Sequence, residues 1–188
     1  MTSGDLLLQQ AINGLSLGSI YALLALGFTL VYGIMELINF SHFNVFMVGS
    51  MIAMLILQAF GVVGQETIMT GVPLVGILVV TLAITMVLCG GLGVSIERFL
   101  LRPLRGIKGP AAMITTIGVS YVLFNVVLLT LGTDAKNFPN PLPPIVWQIG
   151  GATLRMREVL IWVISLLLMG GLTYFVQYTK IGLSLIHI

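Results

Sequence analysis

The sequence predicts an all-α, polytopic membrane protein, and three observations support this fold class. Of 188 residues only 14 are charged, eight Lys or Arg and six Asp or Glu, whereas an average soluble domain is about one quarter charged. Hydrophobic residues make up 58% of the chain, and the mean hydropathy is +1.13. The charges leave five uncharged windows of 21 to 30 residues, and about 20 apolar residues cross the hydrocarbon core of a bilayer. This composition excludes a soluble enzyme, a disordered chain and a nucleic-acid binder.

Each uncharged window predicts one membrane-spanning helix, because none shows the strict alternation of a barrel strand. The first is too long for the apolar region of a signal peptide, and Asp5 is the only charge before it, so we expect it to stay in the membrane. The predicted spans are Ile12–Met35, Phe43–Phe60, Pro73–Ile96, Pro110–Leu131 and Val159–Tyr178.

The orientation of the spans is predicted from a cluster of basic residues after the third span. Short cytoplasmic loops are rich in Lys and Arg, which places this loop and Lys180 inside and the N-terminus outside. The cluster either anchors the topology by meeting lipid phosphates or docks a cytoplasmic partner, and Pro103 and Gly106 are expected to interrupt its helix. Its members are Arg98, Arg102, Arg105 and Lys108.

The predicted outer loop, Thr133–Glu158, contains a proline-rich segment followed by two short β-prone runs. The runs, Ile145–Ile149 and Ala152–Met156, flank Gly150-Gly151, and this pattern predicts a β-hairpin. The loop is either an ordered cap that meets something arriving from outside or a plain connector.

The predicted membrane interior contains no Asp, Glu, Lys or Arg. Ion-coupled carriers usually place ionisable residues at mid-membrane, so any uphill transport would take its energy from another subunit, and a passive channel is compatible. Cys89 is the only cysteine and no GxxxxGK[ST] motif occurs, which excludes an intramolecular disulfide and a P-loop. The sequence predicts no metal site and no cofactor.

Polar residues suggest where a substrate would pass. Those between the first two spans predict either a broken or re-entrant start to the second span or a short cytoplasmic turn capped by Asn and Ser, and a second polar series lies in the fourth span. The pathway candidates are Asn39, Ser41, His42, Asn44, Thr115 and Thr116.

Small residues recur every four positions along the first span, at Gly14, Gly18 and Ala22. This spacing predicts a helix-packing face, because small side chains let helices approach closely in lipid. Glycines that act as hinges are the alternative.

Four stretches, in this order and spacing, resemble the permease subunit of branched-chain amino acid ABC importers. They are Asn13–Leu23, Ile38–His42, Glu97-Arg98 with Arg102–Arg105, and Ile114–Ser120. The resemblance implies inward transport of leucine, isoleucine or valine across a bacterial inner membrane. It also implies four partner chains: a second related permease, two cytoplasmic ATPase subunits and a periplasmic substrate-binding protein. A permease for urea or short amides, and a passive channel or facilitator, are the alternatives.

Two departures from the family pattern concern the substrate and the end of the chain. Phe43 and Asn44 stand where the family usually has Gly and then an acidic residue, which leaves the substrate open. After Gly182 the family continues with further spans, so we expect residues 1–182 to be the N-terminal part of one permease domain. Residues 183–188 are expected to be a non-native tail.

Overall fold

The structure, a computed structural model, describes residues 3–35, 37–62, 70–104 and 110–179. Five of its α-helices are long and apolar enough to cross a membrane, which confirms the predicted fold class. A two-stranded antiparallel hairpin precedes the last helix. In chain order the elements are α1 (Ser3–Met35), α2 (His42–Ala59), α3 (Val72–Ile96), α4 (Ala111–Leu131), β1 (Val146–Ile149), β2 (Ala152–Arg155) and α5 (Met156–Tyr178).

The predicted bounds of α2, α3 and α4 are correct to within one residue, whereas two helices begin earlier than expected. The α1 helix begins at Ser3 rather than Ile12, because Asp5 lies in its first turn, where the helix dipole favours a negative charge. The α5 helix begins at Met156, where the Glu158 carboxylate accepts a hydrogen bond from the Arg155 amide at 2.8 Å. A charged residue therefore marks the edge of an apolar window in the sequence, but the helix itself continues past that residue.

One compact unit contains α1, the hairpin and α5. Gly150 and Gly151 form the predicted two-residue turn with φ of 56° and 83°, the positive values that a type I′ turn requires. Strand β2 is held by Gln9 of α1, whose side chain accepts from the Thr153 amide at 2.7 Å and donates to the Thr153 carbonyl at 3.2 Å. Gln9 thus pairs both backbone groups of one strand residue.

Farther along the same unit, a side-chain hydrogen bond joins α1 to α5. The Trp162 indole donates to the Ser16 hydroxyl at 3.0 Å, and Ser16 donates to the Ile12 carbonyl. Ile12 and Ser16 are buried, whereas Gly14 and Gly18 are exposed, and a Cβ added at either glycine would contact nothing within 4 Å.

Ala22 is exposed as well. The predicted face of Gly14, Gly18 and Ala22 therefore finds no packing partner among the described residues, because the buried face of α1 is the one with Ile12 and Ser16. It remains a prediction for contact with another chain.

The second compact unit contains α2, α3 and α4. Close approach of α2 to α3 depends on Gly49, where an added Cβ would lie only 2.9 Å from Cys89 Sγ.

The end of α2 is followed by a left-handed glycine, Gly61. The Gly61 amide donates to the Gln58 carbonyl, and the Val62 amide donates to the Leu57 carbonyl. This is the Schellman pattern, in which the glycine reverses the chain and the last carbonyls are paired.

We expect Gln9→Ala to loosen the hairpin, because it leaves both backbone groups of Thr153 without their partner. An unpaired backbone group costs about 1–3 kcal/mol when it is shielded from water. Hydrogen exchange of residues 146–155 measures the effect, which should appear as faster exchange at Thr153. The matched control is Gln10→Ala, since Gln10 is exposed and the same size; equal exchange in the two variants would contradict the assignment.

Candidate functional site

A non-helical segment, residues 37–41, precedes α2 and lies against α4 within the second unit. The Phe40 amide donates to the Thr116 hydroxyl at 3.2 Å, and the Ser120 hydroxyl donates to the Phe40 carbonyl at 3.0 Å. The Thr116 hydroxyl in turn donates to the Met113 carbonyl at 2.9 Å, and the Ile38 carbonyl is a second, more distant acceptor at 3.4 Å from the same hydroxyl. Two hydroxyls of α4 therefore replace the helical hydrogen bonds that this segment lacks.

Within the segment, the Asn39 side chain organises a tight turn into α2. Its Oδ1 accepts from the Ser41 amide at 3.0 Å and from the Ser41 hydroxyl at 2.5 Å, and the His42 amide reaches the Asn39 carbonyl at 3.3 Å. Ser41 is fully buried, and its side chain makes no capping bond to the helix. Ser41 has helical φ and ψ of −73° and −10°, whereas a capping serine is normally extended so that its oxygen can accept from an amide of the first turn. Of the two alternatives, the turn capped by a Ser side chain is therefore not the one seen at Ser41.

The α2 helix itself is continuous from His42 to Ala59, so the predicted break lies before the helix and not inside it. The depth of the irregular segment follows from α4. This helix has 21 residues, so it is about 31 Å long, close to the thickness of the hydrocarbon core. Ser120 lies nine residues after Ala111, about 14 Å along the axis. The Phe40 carbonyl thus meets α4 near the middle of this helix; if α4 spans the bilayer, irregular backbone at this level needs protein or water against it.

An open cavity of 250 Å³ lies beside this segment, lined by Asn44, Ser120, Tyr121 and Phe124. Among the described residues the Asn44 amide has no hydrogen-bond partner, and the Tyr121 and Phe124 side chains are 68% and 45% exposed. The cavity therefore combines a free amide, a phenol and an aromatic face without a charged group. Such a lining suits a small amphiphile whose polar and apolar parts both need a partner.

The pathway candidates are only partly brought together. Asn39, Ser41 and Thr116 belong to the pinned segment, and Asn44 lines the cavity. Thr115 points elsewhere, since its hydroxyl donates back to the Ala111 carbonyl at 2.9 Å and its side chain lines a different cavity.

His42 and the basic cluster lie apart from the cavity lining. The His42 ring packs edge-on against Phe43, with the ring centroids 5.8 Å apart. The described residues contain no group of three or more His, Cys, Asp or Glu that could hold a metal. Arg98 lies in a π-helical turn, Glu97–Leu101, and Arg102 begins a 3₁₀ turn, Arg102–Leu104; both are exposed. The regular α-helix thus ends at Ile96, before Pro103, which lies in the 3₁₀ turn. Arg105, Gly106 and Lys108 lie outside the described residues.

Sequence reasoning did not select Ser120, Tyr121 and Phe124 as site residues. Ser120 belongs to the polar series of the fourth span, but most hydroxyls in such helices bond back to their own carbonyls, as Thr115 and Thr130 do. The available signal was spacing: Thr116, Ser120 and Phe124 are four residues apart and therefore share one face of a helix.

Similarity to known proteins identifies the family. The profile of the family described as "Branched-chain amino acid transport system / permease component" matches residues 10–188. The chain belongs to this permease family. No solved structure matches it.

Curated relatives are permeases from Gram-negative bacteria. The chain is 37% identical over 179 residues to the high-affinity branched-chain amino acid transport system permease protein BraD of Pseudomonas aeruginosa. It is 37% identical over 182 residues to the permease protein LivH of Escherichia coli K12, and 36% identical to LivH of Salmonella typhimurium. Each match covers 93% of this chain and 56% of the relative. The chain therefore spans about half the length of the curated relatives it matches.

Thr115 and Thr116 offer a matched test of the pinned segment. We expect Thr116→Val to destabilise residues 37–41, because it leaves the partly buried Phe40 amide without its partner, at a cost of up to about 1–3 kcal/mol. Thr115→Val removes only a bond within α4 and should have little effect. Hydrogen exchange at Phe40 in detergent micelles or nanodiscs measures the difference, and equal protection in the two variants would overturn the assignment.

Proposed function

We propose that this chain is the N-terminal part of a permease subunit of an ABC importer that moves branched-chain amino acids into a bacterial cell. The observation that carries the proposal is the 36–37% identity, over 93% of the chain, to permeases named for this transport. Because the chain spans about half of those relatives, the proposal concerns the complete subunit and its assembly.

The charge-free interior supports an energy source on other subunits. No Asp, Glu, Lys or Arg occurs in residues 12–35, 43–60, 73–96, 110–131 or 159–178, so the spans offer no acidic or basic group to bind a coupling ion at mid-membrane. We assign ATP hydrolysis to two cytoplasmic ATPase subunits and delivery of the amino acid to a periplasmic binding protein. A second, related permease completes the pathway across the inner membrane.

The hairpin and the basic turn would then lie on opposite sides of the membrane. Arg98 and Arg102 face the cytoplasm by the positive-inside rule, and three spans earlier the N-terminus lies outside. The hairpin, which follows α4, lies outside as well and is available to meet the binding protein. Its pairing with Gln9 gives that surface a defined shape.

The cavity beside the pinned segment is our candidate for a point on the substrate route. Asn44 supplies a free amide that can donate to a carboxylate and accept from an ammonium group. Tyr121 and Phe124 supply apolar surface for a branched side chain. Because these groups are neutral, a substrate that carries both charges would be held weakly, as a transported molecule must be.

Uptake by the complete assembly tests the function. The full-length subunit, with its partners in proteoliposomes, should accumulate leucine, isoleucine or valine only when the ATPase subunits are active. Equal uptake with an inactive ATPase would instead favour a passive channel. Binding of urea or short amides by the cognate binding protein, without binding of leucine, would favour the amide importer.

Asn44→Leu should slow uptake in that assembly. Loss of one hydrogen bond to the substrate lowers the rate by roughly tenfold. The control is Asn125→Leu, because the Asn125 amide donates to the Tyr121 carbonyl of its own helix at 2.7 Å. Initial rates at fixed substrate concentration measure both variants, and an Asn44→Leu rate equal to that of the control would remove Asn44 from the route.

A further inference from the structure

A second, larger cavity lies in the same unit, against another face of α4. It is an open groove of 580 Å³ between the last turns of α3, the π-helical turn and the first half of α4. Thr115 and Val119 of α4 line it, whereas Thr116 and Ser120 bind the irregular segment. Its apolar lining includes Leu92, Ile96, Phe99, Leu100, Val119 and Leu123.

The two hydroxyls in this cavity are already used. Ser95 donates to the Gly91 carbonyl at 2.8 Å, and Thr115 donates to the Ala111 carbonyl at 2.9 Å. A polar occupant would find few partners there and would lose hydrogen bonds to water on entering. The cavity therefore favours an apolar occupant.

Two arginines lie next to lining residues of this cavity in the sequence. Arg98 and Arg102 flank Phe99 and Leu100 in the chain, and both are exposed. Neither has an ion-pair or hydrogen-bond partner in the described part of the chain. The lining extends from Leu100 back to Leu92, about 12 Å along the helix axis.

We propose that this cavity binds one anionic phospholipid, with an acyl chain in the apolar groove and the headgroup phosphate at Arg98 and Arg102. Guanidinium groups pair with phosphate oxygens in a bidentate manner, and an acyl chain is the apolar part of a molecule that carries such a phosphate. The predicted cytoplasmic position of Arg98 places the site at the leaflet that carries most anionic lipid.

The π-helical turn creates the groove. Each hydrogen-bonded ring of a π turn contains one residue more than a ring of an α-helix, so the helix is wider there. The turn Glu97–Leu101 contacts α4. Leu101 is buried at this contact, whereas Phe99 is 72% exposed. The irregular turn thus contributes Phe99 and Leu100 to the lining, and Arg98 and Arg102 lie within two residues of them in the chain. The proposal does not depend on which molecule the permease transports.

Native mass spectrometry of the 188-residue chain, purified in detergent with added lipid, tests the site. With phosphatidylglycerol we expect one lipid retained per chain, and much weaker retention of phosphatidylcholine with the same acyl chains. Each basic residue at an anionic surface contributes about fivefold, so Arg98→Gln with Arg102→Gln should lower affinity for phosphatidylglycerol roughly 25-fold. Arg98→Lys with Arg102→Lys keeps the charge and should retain most of the binding.

Two matched controls separate this site from general lipid binding. Arg155→Gln with Arg157→Gln removes two exposed arginines elsewhere and should leave retention unchanged. Val119→Trp fills the groove and should abolish lipid retention. Val126→Trp, at an exposed position outside the lining, should leave lipid retention unchanged.

Three results would each overturn the proposal: equal retention of both lipids, retention unaffected by the paired Arg98 and Arg102 substitutions, or retention unaffected by Val119→Trp. Loss of binding to the second permease in Val119→Trp, with lipid retention unchanged, would assign the groove to a protein helix instead.

Discussion

The need to pair every backbone amide and carbonyl inside lipid governs this structure. A bilayer core offers no water to an unpaired group, so a chain that crosses it must be helical or must find hydrogen-bond partners within the protein. Five helices satisfy this need internally. Residues 37–41 do not, and two hydroxyls of α4, those of Thr116 and Ser120, satisfy it for the Phe40 amide and carbonyl.

This pairing has a consequence for function. The non-helical segment meets α4 near the middle of that helix, and Asn44, in the first turn of α2, lines the adjacent cavity. The resulting cavity is mostly apolar, contains the Asn44 amide, and has no charged residue in its lining. Such a lining can meet a zwitterion without the desolvation penalty that a buried ion would add. Under the proposed function, the neutral interior and an energy source on partner subunits belong together.

Different faces of α4 contact different parts of the second unit. Thr115 and Thr116 are adjacent in sequence, and successive residues on an α-helix are about 100° apart. Thr116 therefore meets the irregular segment while Thr115 faces the apolar groove near Arg98. The polar content of α4 alone does not reveal this difference, because both residues have the same chemistry.

Much of the fold could be predicted from local patterns. Uncharged windows indicate spans because a buried charge is costly, and Gly150-Gly151 indicates the hairpin because both residues adopt positive φ. The early start of α1 was missed because a helix can continue past the apolar stretch into the headgroup region, where Asp5 is stable. Whether Ser41 caps the second span could not be read from the sequence, because capping depends on the backbone conformation of that residue, which is helical here and not extended.

By itself, the sequence determined the helical class, the number of spans, the hairpin and the absence of ionisable groups at mid-membrane. These properties follow from composition and from spacing along the chain. Only the tertiary structure decided that Ser120 holds Phe40, that Gln9 holds Thr153, and that an apolar groove opens beside Arg98. The physical reason is separation along the chain: Ser120 and Phe40 are 80 residues apart, and Gln9 and Thr153 are 144 apart. No local pattern encodes which distant backbone group a side chain will meet.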